Sequence, residues 1–344
     1  MAPPVRIAVC KSESNWHVRF IEALDKHSGL YGNVSYRLMN IDSSDWIAEL
    51  ADFDAVIWRP HYMGVEASSF FKEKVWFAEH YLKKLIVPSF ETVWHFESKI
   101  AQSYIFQYLK VPHPKTIATF DCNDALKQLE SFSFPLVFKK SSGAASANVE
   151  LVQKREAMVR KLKLRFSRQL IKSEPILWRR IFTRQFIYAI KYWADVKLFR
   201  TNQRYAYWQE FIPNNARDLR ITAIGDKYAF GFYRNNRPND FRASGSGRID
   251  FESPVPENLI RYCLELNRIM NFDSMAYDLV FTDDGSFRII EMSYGYLETA
   301  IYNAPGHYEL SNGNLEYVMD PIWPQELWVS WLLERIRRKF LPQK

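Results

Sequence analysis

The stretch YDLVFTDDGSFRIIEMS, Tyr277 to Ser293, decides how the rest of the chain is read. Two short apolar runs flank Asp284-Gly285, a dipeptide that favours a tight hairpin because glycine takes positive φ at no steric cost. With Asp284 and Gly285 as a two-residue loop, Asp283 faces Ser286, and counting outward sets Asp278 opposite Glu291. Directly opposed side chains have β-carbons about 4.5–5.5 Å apart, so two carboxylates would share one face. Like charges repel there, and either a divalent cation or neighbouring lysines and arginines would relieve the conflict. Ser293, two residues past Glu291, falls on the same face.

Around this hairpin lies a chain of 344 residues, long enough for two or three domains with a sizeable core. No apolar run approaches the roughly 18–20 residues of a membrane helix, so no membrane insertion is expected. The opening MAPPVRIAVCKSESN is too soon interrupted to be a signal peptide. Cys10, Cys122 and Cys263 are widely scattered and fit no metal or disulfide spacing, which points to free thiols and a cytoplasmic location. The net charge of +7 is unevenly placed. From Lys154 to Arg204 fifteen basic residues stand against three acidic ones, a surplus of twelve that leaves the remainder net negative. A segment this basic fits an anionic ligand or a solvated helical surface.

The first ninety residues alternate strand and helix signals, as in a parallel sheet with helical crossovers. Val5–Cys10, Val34–Met39, Ala55–Trp58 and Leu85–Val87 read as strands; Asn15 to His27 and Phe70 to Lys83 read as helices. No GxGxxG follows the first strand. Phe96, Ile100, Tyr104 and Tyr108 then form a helical stripe, with Lys99 off it. Phe134 to Val149 reads as a strand, two lysines and a small-residue loop, whose backbone N–H groups could approach phosphate oxygens. It lacks the GxxxxGK[ST] spacing. Tyr207–Pro213 reads as a strand entering a bend, and Leu219–Ile224 and Tyr228–Tyr233 as strands around Gly225-Asp226. An arginine-rich loop follows, then a helix from Pro256 to Met270 with Leu259, Cys263, Leu266 and Ile269 as its stripe. Gln325 to Phe340 reads as a final amphipathic helix packed on the core.

In this order the chain resembles the ATP-grasp superfamily, above all its glutathione synthetase and ribosomal-protein glutamate ligase (RimK-like) branch. The resemblance runs from about Val5 to Ser293, and its most specific part is DLRI…FYR…DFRASGSG…YDLVF…RIIEMS. It implies an α/β chain in three parts: a Rossmann-like domain over 1–95, a central and lid subdomain over 96–205, and a C-terminal antiparallel-sheet subdomain over 206–344. By the same resemblance Lys99 and Lys139 hold ATP phosphates, under a loop that includes Ser141, Ser142, Gly143 and Ser146. Glu210, Phe211 and Ile212 meet adenine. Arg220, Arg234 and Arg242 engage phosphate or an acyl-phosphate. Asp278, Glu291 and Ser293 take the place of the ligands of magnesium, one or two ions, for which manganese can substitute.

The implied reaction activates a carboxylate as an acyl-phosphate and condenses it with an amine, releasing ADP and phosphate. The partners are then an anionic carboxylate acceptor, free or polymer-linked, and an amine. Phosphorylation of a hydroxyl and non-catalytic nucleotide binding stay open beside it, as does the oligomeric state, a homodimer included. The run MSYGY after Glu291 resembles ATP-grasp proteins of surface-polysaccharide assembly, which would make the acceptor a uronic acid or nucleotide sugar. The chain departs from the family at Ser293, where asparagine is usual, and at Lys140, often a proline. A hydroxyl is a shorter, weaker oxygen donor than an amide, which bears on whether one metal or two are held. The basic segment 154–204 matches no family pattern and is the expected seat of specificity; its Trp178, Phe182, Tyr188 and Trp193 read as packing residues rather than as a nucleic-acid stacking platform.

Overall fold

The computed structural model describes residues 4–12, 14–27, 34–60, 65–141, 149–167, 205–238, 240–243 and 245–340. They fall into two compact units, one of Met1–Pro112, Ser142–Ser146 and Asn214–Lys344, the other of His113–Ser141 and Ala147–Pro213. This two-way division follows packing and differs from the three-part sequence partition at 95 and 205.

The larger unit begins with β1 (Val5–Cys10), α1 (Trp16–His27), β2 (Val34–Met39), α2 (Trp46–Leu50), β3 (Ala55–Ile57), α3 (Val65–His80) and β4 (Leu85–Val87). The four strands make a parallel sheet in the order β2-β1-β3-β4. Ile7, Val9, Val56, Ile57, Ile86 and Val87 are all fully buried, as a sheet covered on both faces demands. The short α4 (Phe90–Val93) leads to α5 (Lys99–Tyr108), where Ser98 caps the helix by accepting the Ala101 N–H at 3.2 Å. The expected stripe is corrected here. Tyr104 and Tyr108 are exposed, while Ala101, Gln102, Ile105 and Phe106 turn inward with Lys99. Apolar spacing alone does not say which face of a helix meets the core.

The smaller unit holds β5 (Thr116–Thr119), α6 (Cys122–Gln128), β6 (Leu136–Lys139), β7 (Val149–Val152), α7 (Arg155–Ser167) and β8 (Ala206–Glu210). Its antiparallel sheet runs β5-β8-β6-β7, and Leu136, Met158, Leu162 and Trp208 centre its own core.

The rest of the larger unit is built on β9 (Arg217–Ile224), β10 (Tyr228–Asn235), β11 (Ile249–Asp250), α8 (Glu257–Met270), β12 (Ser274–Phe281), β13 (Phe287–Ser293), α9 (Glu298–Tyr302), β14 (His307–Ser311), β15 (Asn314–Val318) and α10 (Pro324–Phe340). The sheet order is β13-β12-β9-β10-β14-β15, with β11 against β10. Helix α8 buries Leu259, Cys263 and Leu266, whereas Ile269 is exposed, which shortens the expected stripe. Helix α10 packs on α1, the Trp328 ring lying 5.3 Å from Trp16 and 6.1 Å from Phe20. Among the described residues no helix is long and apolar enough to cross a membrane.

Candidate active site

The hairpin of β12 and β13 sets Asp278 opposite Glu291, but by a different route from the one its sequence indicated. The loop has three residues, not two: Thr282 N–H donates to Ser286 O at 2.8 Å and Gly285 N–H to Thr282 O at 2.9 Å. Gly285 sits at φ +79, the left-handed position that closes such a loop. Three residues shift the pairing by one, so Leu279 meets Ile289 and Phe281 meets Phe287. Left there, the shift would turn Glu291 to the opposite face. A β-bulge between Asp278 and Leu279 shifts it back, leaving Ile290 without a cross-strand partner. The sequence carries a sign of this. Ile289 and Met292 are both buried, three apart, a spacing strict alternation forbids.

Three further charged residues continue the Asp278 face onto β9 and β10. Register pairs Asp278 with Arg220 and Arg234 with Asp218. Arg220 grips Asp278 with two bonds, Nε to Oδ1 at 2.7 Å and Nη2 to Oδ2 at 2.9 Å. Arg234 grips Asp218 in the same way at 2.8 and 2.6 Å, and its Nη2 also reaches Asp278 Oδ2 at 2.8 Å. Burial alone would raise the Asp278 pKa; the two guanidiniums outweigh it and hold the carboxyl well below the usual range. Burial likewise opposes the charge on Arg234, and Asp278 and Asp218 more than restore it. Sequence reading missed Asp218. Its signal was available: two residues before Arg220 on one strand, it must share the face.

At the sheet edge, Lys99 of α5 meets Glu291 at 2.9 Å. The lysine is buried, whereas the Glu291 side chain is 37% exposed. Lys99 is the one cationic partner of Glu291 among the described residues. The Ser293 hydroxyl accepts the Gly295 N–H at 3.0 Å. Arg242 lies in the arginine-rich loop, where Asp240 holds its Nε at 2.9 Å and its Nη2 at 2.6 Å. The face therefore gathers Asp218, Asp278 and Glu291 against Arg220, Arg234 and Lys99, three charges of each sign. No group of three His, Cys, Asp or Glu side chains able to cage a metal occurs among the described residues. Of the expected ligands, Asp278 is engaged by arginines and Glu291 retains solvent access. Such a donor set fits a cation that arrives with its own anionic ligands, not one held by protein alone.

In the smaller unit Lys139 ends β6 and is buried. The Glu210 carboxylate accepts the Lys115 N–H at 2.9 Å, fixing the end of β8 against the start of β5, with Phe211 and Ile212 half-buried beyond it. Ser141 N–H donates to the Tyr205 hydroxyl at 2.5 Å. Ser142, Gly143 and Ser146, like Trp178, Phe182, Tyr188 and Trp193, lie outside the described residues.

No protein-family model matches the chain. It is 23% identical over 208 residues to the alpha-aminoadipate–LysW ligase LysX of Saccharolobus solfataricus, covering 60% of this chain and 65% of that one. It is 24% identical over 201 residues to the tetrahydromethanopterin:alpha-L-glutamate ligase of Methanococcus maripaludis, covering 57% and 56%. Each match spans less than two thirds of the relative. Among solved structures it superposes on D-cycloserine synthetase DcsG with a TM-score of 0.59 at 13% identity, over 96% of this chain and 99% of that one. A RiPP-associated ATP-grasp ligase of Chryseobacterium gregarium, solved with ADP and a leader and core peptide, gives 0.58 at 13% identity, over 96% and 97%.

Proposed function

We propose that this chain, whose fold is that of the ATP-grasp proteins, is an ATP-dependent ligase joining a carboxylate to an amine. The observation that carries the reading is the charged face of β9, β10, β12 and β13, where Arg220 and Arg234 are held by Asp278 and Asp218 and Glu291 pairs with Lys99 at the edge. Phosphoryl transfer asks little covalent help of a protein; it needs alignment and fixed positive charge where negative charge develops. In the proposed reaction a substrate carboxylate oxygen attacks the γ-phosphorus of ATP and ADP leaves. The amine nitrogen then attacks the acyl carbon of the mixed anhydride, phosphate leaves with the bonding electrons, and the nitrogen loses a proton.

The Nη1 group of Arg220 makes no bond to the described residues and is free for a phosphate oxygen. Lys99 and Lys139 are proposed to neutralise nucleotide phosphates, Ser141, Ser142, Gly143 and Ser146 to cover them, Glu210, Phe211 and Ile212 to receive adenine, and Arg242 to meet the acyl-phosphate. Glu291 would hold magnesium brought in with the nucleotide, and the ion would supply charge neutralisation on the phosphates. The curated relatives, both named as ligases, support the reading.

The test is ADP release by the full chain with panels of carboxylates and amines, and mass spectrometry of the product. An amide product that depends on ATP is expected, lost in the double variant Asp278→Ala, Glu291→Ala. Turnover unchanged in that variant, or a phosphorylated hydroxyl as the product, would overturn the proposal.

A further inference from the structure

Asp278 and Glu291 occupy equivalent places in the hairpin, yet their surroundings assign them different work. Asp278 Oδ2 accepts two charged N–H bonds, from Arg220 and Arg234, which uses both of its lone pairs. Its Oδ1 accepts a third, at 2.7 Å. A magnesium ion sits about 2.0–2.1 Å from its oxygen ligands, so one bound at Oδ1 would press against the guanidinium that shares this atom. Asp218 repeats the arrangement one pair further along the face, where it too accepts two guanidinium bonds. Two aspartates thus alternate with two arginines in a cross-strand row whose charges cancel. Glu291 stands outside the row, with Lys99 its one cationic partner among the described residues and with solvent access. The Ser293 hydroxyl has already accepted one N–H and keeps a single lone pair.

We propose that Asp278 is a positioning residue that, with Asp218, holds Arg220 and Arg234 in place, and that the chain takes a single divalent cation through Glu291 in company with the nucleotide. This rests on the ligase reading for the presence of a nucleotide; the division of labour between the acids goes beyond it. Phosphate-directed N–H groups must be held still to act on a transferring phosphoryl group. A carboxylate fixed between two guanidiniums does this, and a carboxylate given to a metal would release them.

The experiment is manganese binding to the full chain with a non-hydrolysable ATP analogue, counted by the loss of the free-ion electron paramagnetic resonance signal. One manganese per bound nucleotide is expected in the wild-type protein. Asp278→Asn and Asp218→Asn should each keep that count, with manganese affinity within about 3-fold. Both should lose kcat together, since both loosen the same arginines. Glu291→Gln should weaken manganese affinity by about 10-fold or more, the scale seen when metal-site groups are altered. Two ions per nucleotide in the wild-type protein would overturn the inference without reference to any variant. So would Asp278→Asn losing an ion that Asp218→Asn keeps. Both results would leave the ligase reading standing, whereas a chain that binds neither nucleotide nor manganese would overturn both.

Discussion

Two buried aspartates five positions apart in the chain have opposite employment. Asp273, just before β12, accepts the Ser89 N–H at 2.6 Å, the Trp331 indole N–H at 2.7 Å and Arg335 Nη1 at 2.5 Å. Its donors come from the lead-in to α4 and from α10, elements far apart in the chain, and most of them are neutral. Asp278, in mid-strand, takes all its bonds from two guanidiniums on the neighbouring strands of its own sheet. The first arrangement ties elements together, two neutral N–H groups and one guanidinium converging on a single acid. The second leaves Arg220 with an unspent N–H pair and a side chain 21% exposed. A buried Asp–Arg pair is therefore no mark of function by itself. Whether the acid's partners come from distant elements or from one face of its own sheet is the distinction.

Breaking the first centre should have the largest effect, and it should fall on stability. Asp273→Ala strands Arg335 and the Trp331 N–H in the interior and should cost about 3–5 kcal/mol, read as a lower urea midpoint. The folded fraction should keep its specific activity. Arg220→Ala should fall mainly on turnover: a fall in kcat of about 10²–10³, or about 2.7–4 kcal/mol of barrier, with a smaller drop in urea midpoint than Asp273→Ala gives, because Arg234 still bonds Asp278 Oδ2 while Oδ1 loses its donor. Equal losses of stability in the two variants would erase the comparison.

The Asp273 centre also carries a pH signature near neutrality, whereas the depressed Asp278 carboxyl sets its own in acid. Burial pushes the neighbouring Glu79 carboxyl up to about 7; Glu91 and Asp273 add to the rise, while the Phe90 N–H and Arg335 oppose it. A carboxyl whose folded pKa is raised binds its proton more tightly when folded, so its contribution is complete below the unfolded value near 4.5 and is lost as pH rises through about 7. Stability should fall by about 1–3 kcal/mol between pH 5 and pH 8. Glu79→Gln, which can still accept the Phe90 N–H, should flatten that slope in urea titrations. Smallest of all should be Gly285→Ala, at about 1 kcal/mol, since a β-carbon at φ +79 is strained but meets no atom within 4 Å. The bulge lies between this loop and Asp278, so kcat should stay within about 2-fold.

How much was legible follows from which interactions are local. The strands Val5–Cys10, Val34–Met39 and Leu85–Val87 and the apolar side of α1 read directly, because alternation and helical spacing are properties of adjacent residues. The opposition of Asp278 and Glu291 also read correctly, though through two errors of one residue that cancel, a longer loop and a bulge. Tyr104 and Tyr108 misled because their spacing marks a helix face without saying what the helix packs against. The face of Asp218 was legible from its spacing to Arg220 but was overlooked, while its pairing with Arg234 and the whole Asp273 centre were not, since those partners are brought in by strand register and by helix α10.

The sequence by itself determined the order of elements, the hairpin, the excess of arginine before it and the resemblance those motifs carry. Propensity, turn chemistry and spacing all act within a few residues. The tertiary structure alone decided which acid faces which base. That choice made Asp278 the partner of two arginines and left Glu291 open. Charges select partners by distance and burial, and both are set only when strands from distant parts of the chain lie side by side.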